Sequence, residues 1–451
     1  MKTLCTRRSA IHCNRNFRII FLLVAASSLG RSCCRGFGSV QLPRKRSSHT
    51  TMASLSDYLK ETWDAFHDNT NDNLHICIGN PAGDADSLVS AMVYGYLTQQ
   101  TPILSIARSD LQSQRPETMA LLQLAQIDPK YLLDTNDLNN WIEKNDDESC
   151  LQITLLDHNA RVFPSVGKVV EILDHHDDQG QHLEAPIRKI AFHNGQATVA
   201  STCTLVAEAA LMKTTNEDPQ EVLLDPSMSV LLLGTIILDS VNMSPQAGKG
   251  TRRDARAMRL LLEQTHWNDQ TIPQPDPSQL FDKLQQAKFD PVFWNGLSVM
   301  DALRLDYKAF DVSTSSTIGL ATILLPWKDF QQKANLVATL ESYARDHSLN
   351  ILGCMMTASL PDGSLQRELL LCSHNATRLN MLVEQLQACQ DNFLQLTEQE
   401  VLANPLNQEA NPLAMRFFVQ GNAKASRKQV APILMEIMGK LPTTDDVGQE
   451  L

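Results

Sequence analysis

Basic residues are scarce outside the first fifty positions of this sequence. Ten of the 39 Lys and Arg residues lie in positions 1–50, which hold no Asp or Glu, so the other 401 positions carry 29 basic and 51 acidic side chains. A chain with this charge lacks the positive field that neutralises nucleic-acid phosphates or anionic lipids. We therefore expect no nucleic-acid binding and no stable membrane association of the mature chain.

Cysteine pairs with metal-binding spacing are also missing. Four of the ten cysteines lie in the first fifty positions, and the other six show no Cys-x-x-Cys spacing. These six are Cys77, Cys150, Cys203, Cys354, Cys372 and Cys389. Several lie in apolar, strand-like runs, so the pattern predicts buried free thiols rather than a disulfide framework or a zinc site.

Residues 1–50 are predicted to be a targeting segment. They combine Arg and Ser with an apolar run at Ile19 to Gly30 that is too short to span a bilayer comfortably. A secretory signal, a mitochondrial presequence and a signal followed by a plastid transit peptide all fit. We expect targeting to a plastid or mitochondrion after removal of this segment, or a cytoplasmic protein starting at Met52 as the alternative.

After the targeting segment, apolar runs alternate with segments of helical spacing. Strands are predicted at 74–79, 151–157 and 168–174, and helices at 87–99, 200–212 and 229–243. Strands separated by helices indicate an α/β fold with a parallel sheet. We predict a first domain at 52–265, a Pro-rich linker at 266–280 and a smaller α+β domain at 281–451, since prolines cannot propagate helix or central strand.

Carboxylate, amide and imidazole side chains follow four of these apolar elements. They are Asn80, Asp84 and Asp86 in "GNPAGDADS", Asp157 and His158 in "LLDHN", Asp174, His175 and His176 in "ILDHHDDQG", and Asp239 after "LLLGTIIL". In an open parallel sheet, ligands bind outside the carboxyl ends of the strands, so three of these clusters are expected to converge. Such ligands suit Mg²⁺ or Mn²⁺, and they suffice for two ions, which serve in-line displacement at phosphorus.

Taken singly, some of these motifs have ordinary structural explanations. "GDADS" alone is more typical of an acidic helix cap, and a lone aspartate such as Asp157 is more typical of a loop. Asp239 differs, because a carboxylate after the largely apolar run "LLLGTIIL" would be largely buried and would need a partner. The Asp-His-His stretch also favours a site, and together the four motifs favour a metal site over independent structural roles.

The four ordered motifs resemble those of the DHH phosphoesterase superfamily. The similarity is greatest to the branch of eukaryotic exopolyphosphatases, prune-type proteins and manganese-dependent inorganic pyrophosphatases. The segments "LFDKLQQAKFDPVFWNGLSVMDALRLDYKAF" and "NAKASRKQVAP" are similar to the DHHA2-type domain of that branch. The resemblance implies metals in the first domain and an active site in the cleft between the two domains.

Carried over to this sequence, the resemblance implies two divalent ions, Mg²⁺ or Mn²⁺. One ion would lie near Asn80 and Asp84, with Asp157 bridging, and the second would be held by Asp86, Asp157, His175 and Asp239. Asp174 would orient the histidine pair, and His176 would act as general acid. Arg427 and Lys428 match the phosphate-binding Ser-Arg-Lys of the family, and Lys249 and Arg304 are weaker candidates for phosphate contact.

Two positions differ among the members of this branch. The pyrophosphatases carry histidine where this chain has Asn80, and an amide oxygen in place of an imidazole nitrogen is expected to favour Mg²⁺ relative to Mn²⁺. Leu305 stands where some relatives carry a basic residue, which leaves the preferred chain length open.

The function expected from the resemblance is exopolyphosphatase activity, the release of terminal orthophosphate from inorganic polyphosphate. Catalysis would involve Asp157 and His176. Pyrophosphatase or nucleotide phosphodiesterase activity on the same residues is the nearest alternative. A non-catalytic regulatory protein of the prune type is a different alternative, which the complete set of ligand positions disfavours.

Overall fold

A computed structural model describes residues 54–68, 73–145, 150–216, 224–313, 316–360, 364–388, 393–400 and 413–441. The predicted targeting segment and Cys389 lie outside these ranges. The remaining five cysteines of the body are free thiols, as the sequence predicts. Within the described ranges, none of the helices has both the length and the apolar character needed to cross a membrane.

A parallel sheet forms the centre of the first half of the chain. Its strands are β1 (Leu74–Ile78), β2 (Thr101–Ile103), β3 (Leu151–Leu156), β4 (Lys168–Asp174) and β5 (Ile187–Ile190). They lie in the order β2-β1-β3-β4-β5, and every neighbouring pair is parallel. The strand order reverses between β1 and β3, so a crevice is expected at their carboxyl ends.

Helices cover both faces of this sheet. They are α1 (Leu55–His67), α2 (Ala85–Thr98), α3 (Arg108–Gln114), α4 (Pro116–Leu124), α5 (Thr135–Lys144), α6 (Thr202–Asn216), α7 (Pro226–Asp239), α8 (Arg252–Glu263) and α9 (Pro277–Lys288). A short hairpin of β6 (Phe192–His193) and β7 (Gln196–Ala197) precedes α6. Leu280 and Leu284 of α9 are buried in the core that also contains α2, α4 and α7, so this core extends beyond the Pro-rich segment.

The second half contains a separate mixed sheet. Its strands are β8 (Tyr307–Ser313), β9 (Ser316–Ile323), β10 (Ile351–Ser359), β11 (Leu365–Ser373), β12 (Leu396–Gln399) and β13 (Ala414–Gln420), in the order β12-β13-β11-β10-β9-β8. Its helices are α10 (Pro291–Gly296), α11 (Val299–Leu305), α12 (Trp327–Phe330), α13 (Leu336–Asp346), α14 (Ala376–Ala388) and α15 (Arg427–Lys440). One face packs against α11 and α13 and the other against α14 and α15. The predicted fold class is therefore confirmed.

Two helix boundaries bring polar residues to the edge of the first sheet. Asp84 caps α2, accepting a hydrogen bond from the Ser87 amide, and α2 is almost entirely buried behind it. Helix α7 ends at Asp239, within the segment 229–243 that the sequence predicts as a hydrophobic helix ending in a carboxylate. Val241, Asn242 and Met243 all have positive φ, a left-handed run that cannot continue a right-handed helix.

Gly79 allows β1 and α2 to approach each other closely. A Cβ atom at this position would lie 2.5 Å from the carbonyl oxygen of Ser87, so any larger residue would push the strand end and the helix start apart. Gly83, in the turn between them, has a φ of +58°, which other residues rarely adopt. Both glycines thus fix the position of the acidic turn that contains Asp84.

Candidate metal centre

Asp157 lies at the centre of the cluster at the carboxyl ends of the strands. It follows β3, has a positive φ of 64°, and is 2% exposed. Its carboxylate accepts hydrogen bonds from Asn80 Nδ2 at 2.6 Å, Ser87 Oγ at 2.7 Å and Thr202 Oγ1 at 3.2 Å. A buried carboxylate with this many donors is held in one orientation, and its unusual backbone conformation is of the kind found at functional sites.

The two adjacent histidines face Asp157. His175 Nε2 lies 3.4 Å and His176 Nδ1 3.6 Å from Asp157 Oδ1. Burial alone would raise the pKa of Asp157, but hydrogen bonding from His175 and the charges of both histidines lower it below its usual value. Burial likewise opposes protonation of His175, yet the neighbouring Asp157 and Asp86 raise the pKa of His175 to about 9. The carboxylates thus attract positive charge strongly at this point.

Hydrogen bonds fix which nitrogen of each ring faces the cluster. His175 Nδ1 donates to the Val199 carbonyl at 3.2 Å, which directs Nε2 toward Asp157. His176 Nδ1 donates to Asp174 Oδ1 at 2.9 Å, which leaves Nε2 uncommitted on a side chain that is 31% exposed. His175 is therefore oriented as a ligand, and His176 is oriented toward whatever enters the crevice.

Asp174 is fully buried and organises the turn that follows β4. It accepts hydrogen bonds from the amides of His175 and His176 at 2.7 and 3.1 Å, and from Asn159 Nδ2 at 2.6 Å. Burial opposes ionisation, but the hydrogen bond and charge of His176 lower the pKa of Asp174. This geometry fits the orienting role that the sequence predicts, and it adds Asn159, which the sequence analysis did not identify.

Asp86 lies on the other side of His175, at 3.7 Å from its Nε2. It accepts hydrogen bonds from Ser201 Oγ at 2.5 Å and from the amides of Thr202 and Cys203, each at 2.8 Å. Burial and the nearby charges of Asp157 and Asp239 raise the pKa of Asp86 well above its usual value. The start of α6 therefore offsets only part of the acidic charge concentrated here.

Oδ2 of Asp239 is buried and has no hydrogen-bond partner among the described residues. Burial and the charge of Asp84 raise the pKa of Asp239 to about 6. Its position at the last residue of α7 is also unfavourable, because the carboxyl end of a helix carries partial negative charge. A divalent ion bound beside Asp84 and Asp86 would give this buried carboxylate oxygen a partner. The residues present therefore fit such an ion.

Replacing Asp239 by asparagine removes its repulsion with the neighbouring carboxylates, so we expect a higher melting temperature for the metal-free protein. Each kcal/mol of stability gained corresponds to a rise of about 2–4 °C. The same change is expected to remove most of the stabilisation that Mn²⁺ or Mg²⁺ gives, because it deletes an anionic ligand. Calorimetry with EDTA and with each metal measures both effects. Asp346→Asn, which changes an exposed aspartate at the end of α13, is the matched control; a lower melting temperature for metal-free Asp239→Asn would contradict the repulsion argument.

The remaining two predicted ligands are oriented differently. Asn80 presents its amide nitrogen to Asp157, while its Oδ1 accepts from the Ala82 amide at 2.8 Å. Asp84 is exposed, and its Oδ1 caps α2. Only Asp157, His175 and His176 form a group whose ligand atoms all lie within 4.8 Å of one another, among the described residues. Coordination by Asn80 through oxygen would therefore need its amide to turn.

Cationic side chains of both halves surround the acidic cluster. Lys288, at the end of α9, interacts with Asp239 and Asp84 as well as Glu117; burial opposes its charge, but these carboxylates raise the pKa of Lys288. Lys428 is exposed at the start of α15, and its charge opposes protonation of His175. These cations would balance an anionic substrate at the metal centre.

Lys249 is close to the same group of cations. Desolvation and the charges of Lys288, Lys428 and Arg367 lower the pKa of Lys249, although the charge of Asp239 opposes this. Arg427 is 15% exposed and donates to Asp306 Oδ1 at 2.6 Å. Arg304, by contrast, is exposed near the end of α11. Its charge acts on Tyr343 in the core of the second half.

Several residues of the site gave little signal in the sequence. Ser87, Ser201 and Thr202 are hydroxyl residues near helix starts, where they are common as caps. Lys288 resembles an ordinary cation in the last turn of a helix. The roles of these residues depend on distances between separate elements. The sequence alone could suggest Ser87, because it lies in "GDADS", but not Ser201, Thr202 or Lys288.

The fold and the site define a phosphoesterase of the DHH superfamily. The family described as "DHH family, N-terminal domain" matches residues 75–235, and the "DHHA2 domain" matches residues 282–437. The chain belongs to the DHHA2-containing branch of this superfamily. It is a hydrolase of that family.

Similar proteins come from animals, fungi and archaea. Exopolyphosphatase PRUNE1 of Homo sapiens is 28% identical over 421 residues, covering 88% of this chain and 84% of that protein. A putative exopolyphosphatase of Schizosaccharomyces pombe is 27% identical over 386 residues, covering 79% and 89%. A manganese-dependent inorganic pyrophosphatase of Methanothrix thermoacetophila is 23% identical over 299 residues, covering 65% and 84%.

A solved structure shares the fold. The crystal structure of a Methanococcus jannaschii putative family II inorganic pyrophosphatase superimposes with a TM-score of 0.54 at 19% identity, covering 81% of this chain and 99% of that one. At this identity the similarity bears on the fold alone.

Proposed function

We propose that this protein is a metal-dependent exopolyphosphatase, which hydrolyses the terminal phosphoanhydride bond of inorganic polyphosphate and releases orthophosphate. The observation that carries the proposal is the close grouping of Asp157, His175 and His176 at one edge of the sheet, and the charges of Lys288 and Lys428 act on this acidic cluster. The names of the relatives, exopolyphosphatase in animals and in fission yeast, support the same substrate class.

The proposal includes two divalent ions, Mg²⁺ or Mn²⁺. Asp86, Asp157, His175 and Asp239 would hold one ion, and Asp157 with Asp84 and Asn80 would hold the other. When bound, such ions lower the pKa of water and neutralise the charge of phosphate oxygens. The donor set of carboxylates with one imidazole suits either metal, and the buried Oδ2 of Asp239 is available as a ligand.

The chain's own residues bind the phosphates and move a proton. Asp174 accepts from His176 Nδ1, so a proton on His176 Nε2 can be donated to the oxygen of the leaving phosphate chain. Arg427 and Lys428 would bind the terminal phosphates, since the N-terminus of α15 adds amide donors to their charge. Lys249 is proposed to contact the phosphates from the first half. Arg304 remains a weaker proposal, because its exposed position gives it no described contact with the cluster.

Parallel assays with long-chain polyphosphate and pyrophosphate test the proposed function. Residues 52–451 are expected to release phosphate from polyphosphate in the presence of Mg²⁺ or Mn²⁺, and not in EDTA. Faster turnover of pyrophosphate than of polyphosphate would overturn the substrate assignment. Binding of metal without turnover of either substrate would leave the site but refute the enzyme.

Pyrophosphatase activity is the second candidate function, supported by the name of the Methanothrix thermoacetophila relative, a manganese-dependent inorganic pyrophosphatase. Asn80 opposes this candidate, because the family resemblance implies histidine at that position in the pyrophosphatases. The Asn80→His variant, assayed beside the unchanged protein with both substrates and both metals, separates the two candidates. We expect this change to shift the metal preference toward Mn²⁺, since imidazole nitrogen is the softer donor.

A further inference from the structure

Arg115 is a buried arginine whose hydrogen bonds join the two halves of the chain. It precedes α4 and is 8% exposed. Its Nε donates to the Gly83 carbonyl at 2.8 Å, and its Nη2 donates to the Ala82 carbonyl and to the Leu305 carbonyl, the latter at 2.6 Å. Among the described residues no carboxylate forms an ion pair with it, so three carbonyl groups stabilise its charge.

The two ends of this bridge are parts of the candidate site. Ala82 and Gly83 form the turn between Asn80 and Asp84, at the start of the acidic cluster. Leu305 ends α11 in the other half, directly before Asp306. One guanidinium group therefore fixes the backbone of the acidic turn and a point on the second half at the same time.

The bridge continues to the phosphate-binding arginine. Arg427 donates from Nη1 to the Asp306 carbonyl and from Nη2 to Asp306 Oδ1, both at 2.6 Å. Leu305 and Asp306 are thus held by Arg115 on one side and by Arg427 on the other. A shift at either arginine would move the same two-residue corner.

We infer that Arg115 is a positioning residue, which sets the distance between the acidic turn of the first half and Arg427 of the second half. The inference rests on the proposed function for its effect on catalysis, but its structural part stands on the hydrogen bonds alone. A guanidinium group suits this role because its N–H donors point in fixed, divergent directions. The ammonium group of lysine is a compact charge on a flexible side chain and cannot hold three separate carbonyl groups in this way. Arg115 touches neither substrate nor metal, and it acts through Gly83 and Leu305.

Arg161 provides a matched control. It also donates to three carbonyl groups, those of Val166 and Gly167 from Nη1 and that of Ser165 from Nη2, but all three belong to one loop of the first half. A general cost of removing an arginine that caps carbonyls would appear at both positions. An effect on the relation of the two halves would appear only at Arg115.

The test combines kinetics with a distance measurement. Arg115→Lys, Arg115→Gln and Arg161→Gln are prepared, and polyphosphate hydrolysis and thermal melting are measured for each. Spin labels at Ala255→Cys and Lys328→Cys, both exposed positions and one in each half, report the separation by pulsed electron resonance. A Cys150→Ser, Cys389→Ser background removes the partly exposed thiol of the described residues and the cysteine that lies outside them.

We expect both Arg115 variants to lose at least tenfold in kcat for polyphosphate and to show a broader, longer distance distribution. Arg161→Gln is expected to retain the distance distribution. Its kcat, measured at a temperature where both proteins are folded, is expected to stay within about twofold of that of the unchanged protein. Arg115→Lys keeps the charge, so it remains informative if Arg115→Gln fails to fold. Unchanged distances in Arg115→Lys would overturn the inference, even if activity fell. If the unchanged protein hydrolyses nothing, the proposed function fails, and the distances alone still decide the role of Arg115.

Discussion

Replacing Asp157 by asparagine is expected to reduce phosphate release from polyphosphate by more than about a hundredfold, since even the hydrogen-bond partners of metal ligands contribute about 10–100-fold. Asn80, Ser87 and Thr202 all donate to this carboxylate, and both histidines face it. Asparagine keeps the size and tolerates the left-handed backbone of this position. The loss can then be assigned to the charge and the ligand oxygen rather than to a changed fold.

Asp178→Asn is the control for this prediction. Asp178 belongs to the same "DHHDD" stretch, but its side chain is 42% exposed and pairs with Arg188 at 2.7 Å. We expect its activity to stay within about twofold, because exposed ion pairs contribute little. Calorimetric titration with Mn²⁺ is expected to show weaker binding in Asp157→Asn alone. Equal activity of the two variants would refute the central role of Asp157.

Replacing Arg427 by lysine is expected to raise KM for polyphosphate by about tenfold or more, equivalent to about 1.4 kcal/mol of binding. Asp306 holds the guanidinium group through both its carbonyl and its carboxylate, so the fork is oriented before substrate arrives. Lysine keeps the charge but cannot reproduce the paired geometry that suits phosphate. The prediction therefore separates oriented hydrogen bonding from simple electrostatic attraction.

Lys424→Gln is the control for the arginine. Lys424 is exposed in the same loop, before the start of α15. We expect its KM to change by less than about twofold at physiological ionic strength, because exposed charges are screened. Steady-state kinetics over a range of salt concentrations compare the two variants. A similar rise of KM in both would indicate that net charge, rather than the geometry at Asp306, determines binding.

The convergence of the acidic motifs could be predicted from the sequence because parallel topology demands it. Asn80 and Asp157 follow β1 and β3, Asp174 is the last residue of β4, and neighbouring parallel strands end at the same edge. Asp239 was recognisable because a carboxylate after a long apolar run is rarely buried without a reason. These inferences needed only the order of the elements and the chemistry of the side chains.

Other features could not be predicted, because they depend on distances between separate elements. The sequence indicates that α7 ends in a carboxylate, but not that Val241, Asn242 and Met243 after Asp239 form a left-handed run. The donors to Asp86 come from the start of α6, and nothing near "GDADS" indicates them. The orientation of the Asn80 amide depends on the position of Asp157, which only the folded chain reveals.

Helix α9 divides the cations of the site into two groups that are supported by different cores. Leu280 and Leu284 of this helix are packed in the first core, so Lys288 at its end shares the support of Asp84 and Asp239. Arg427 and Lys428 lie at the start of α15, which packs on the second sheet. The acidic cluster therefore has one counter-ion built into its own core, while the phosphate-binding cations depend on the packing of the second core.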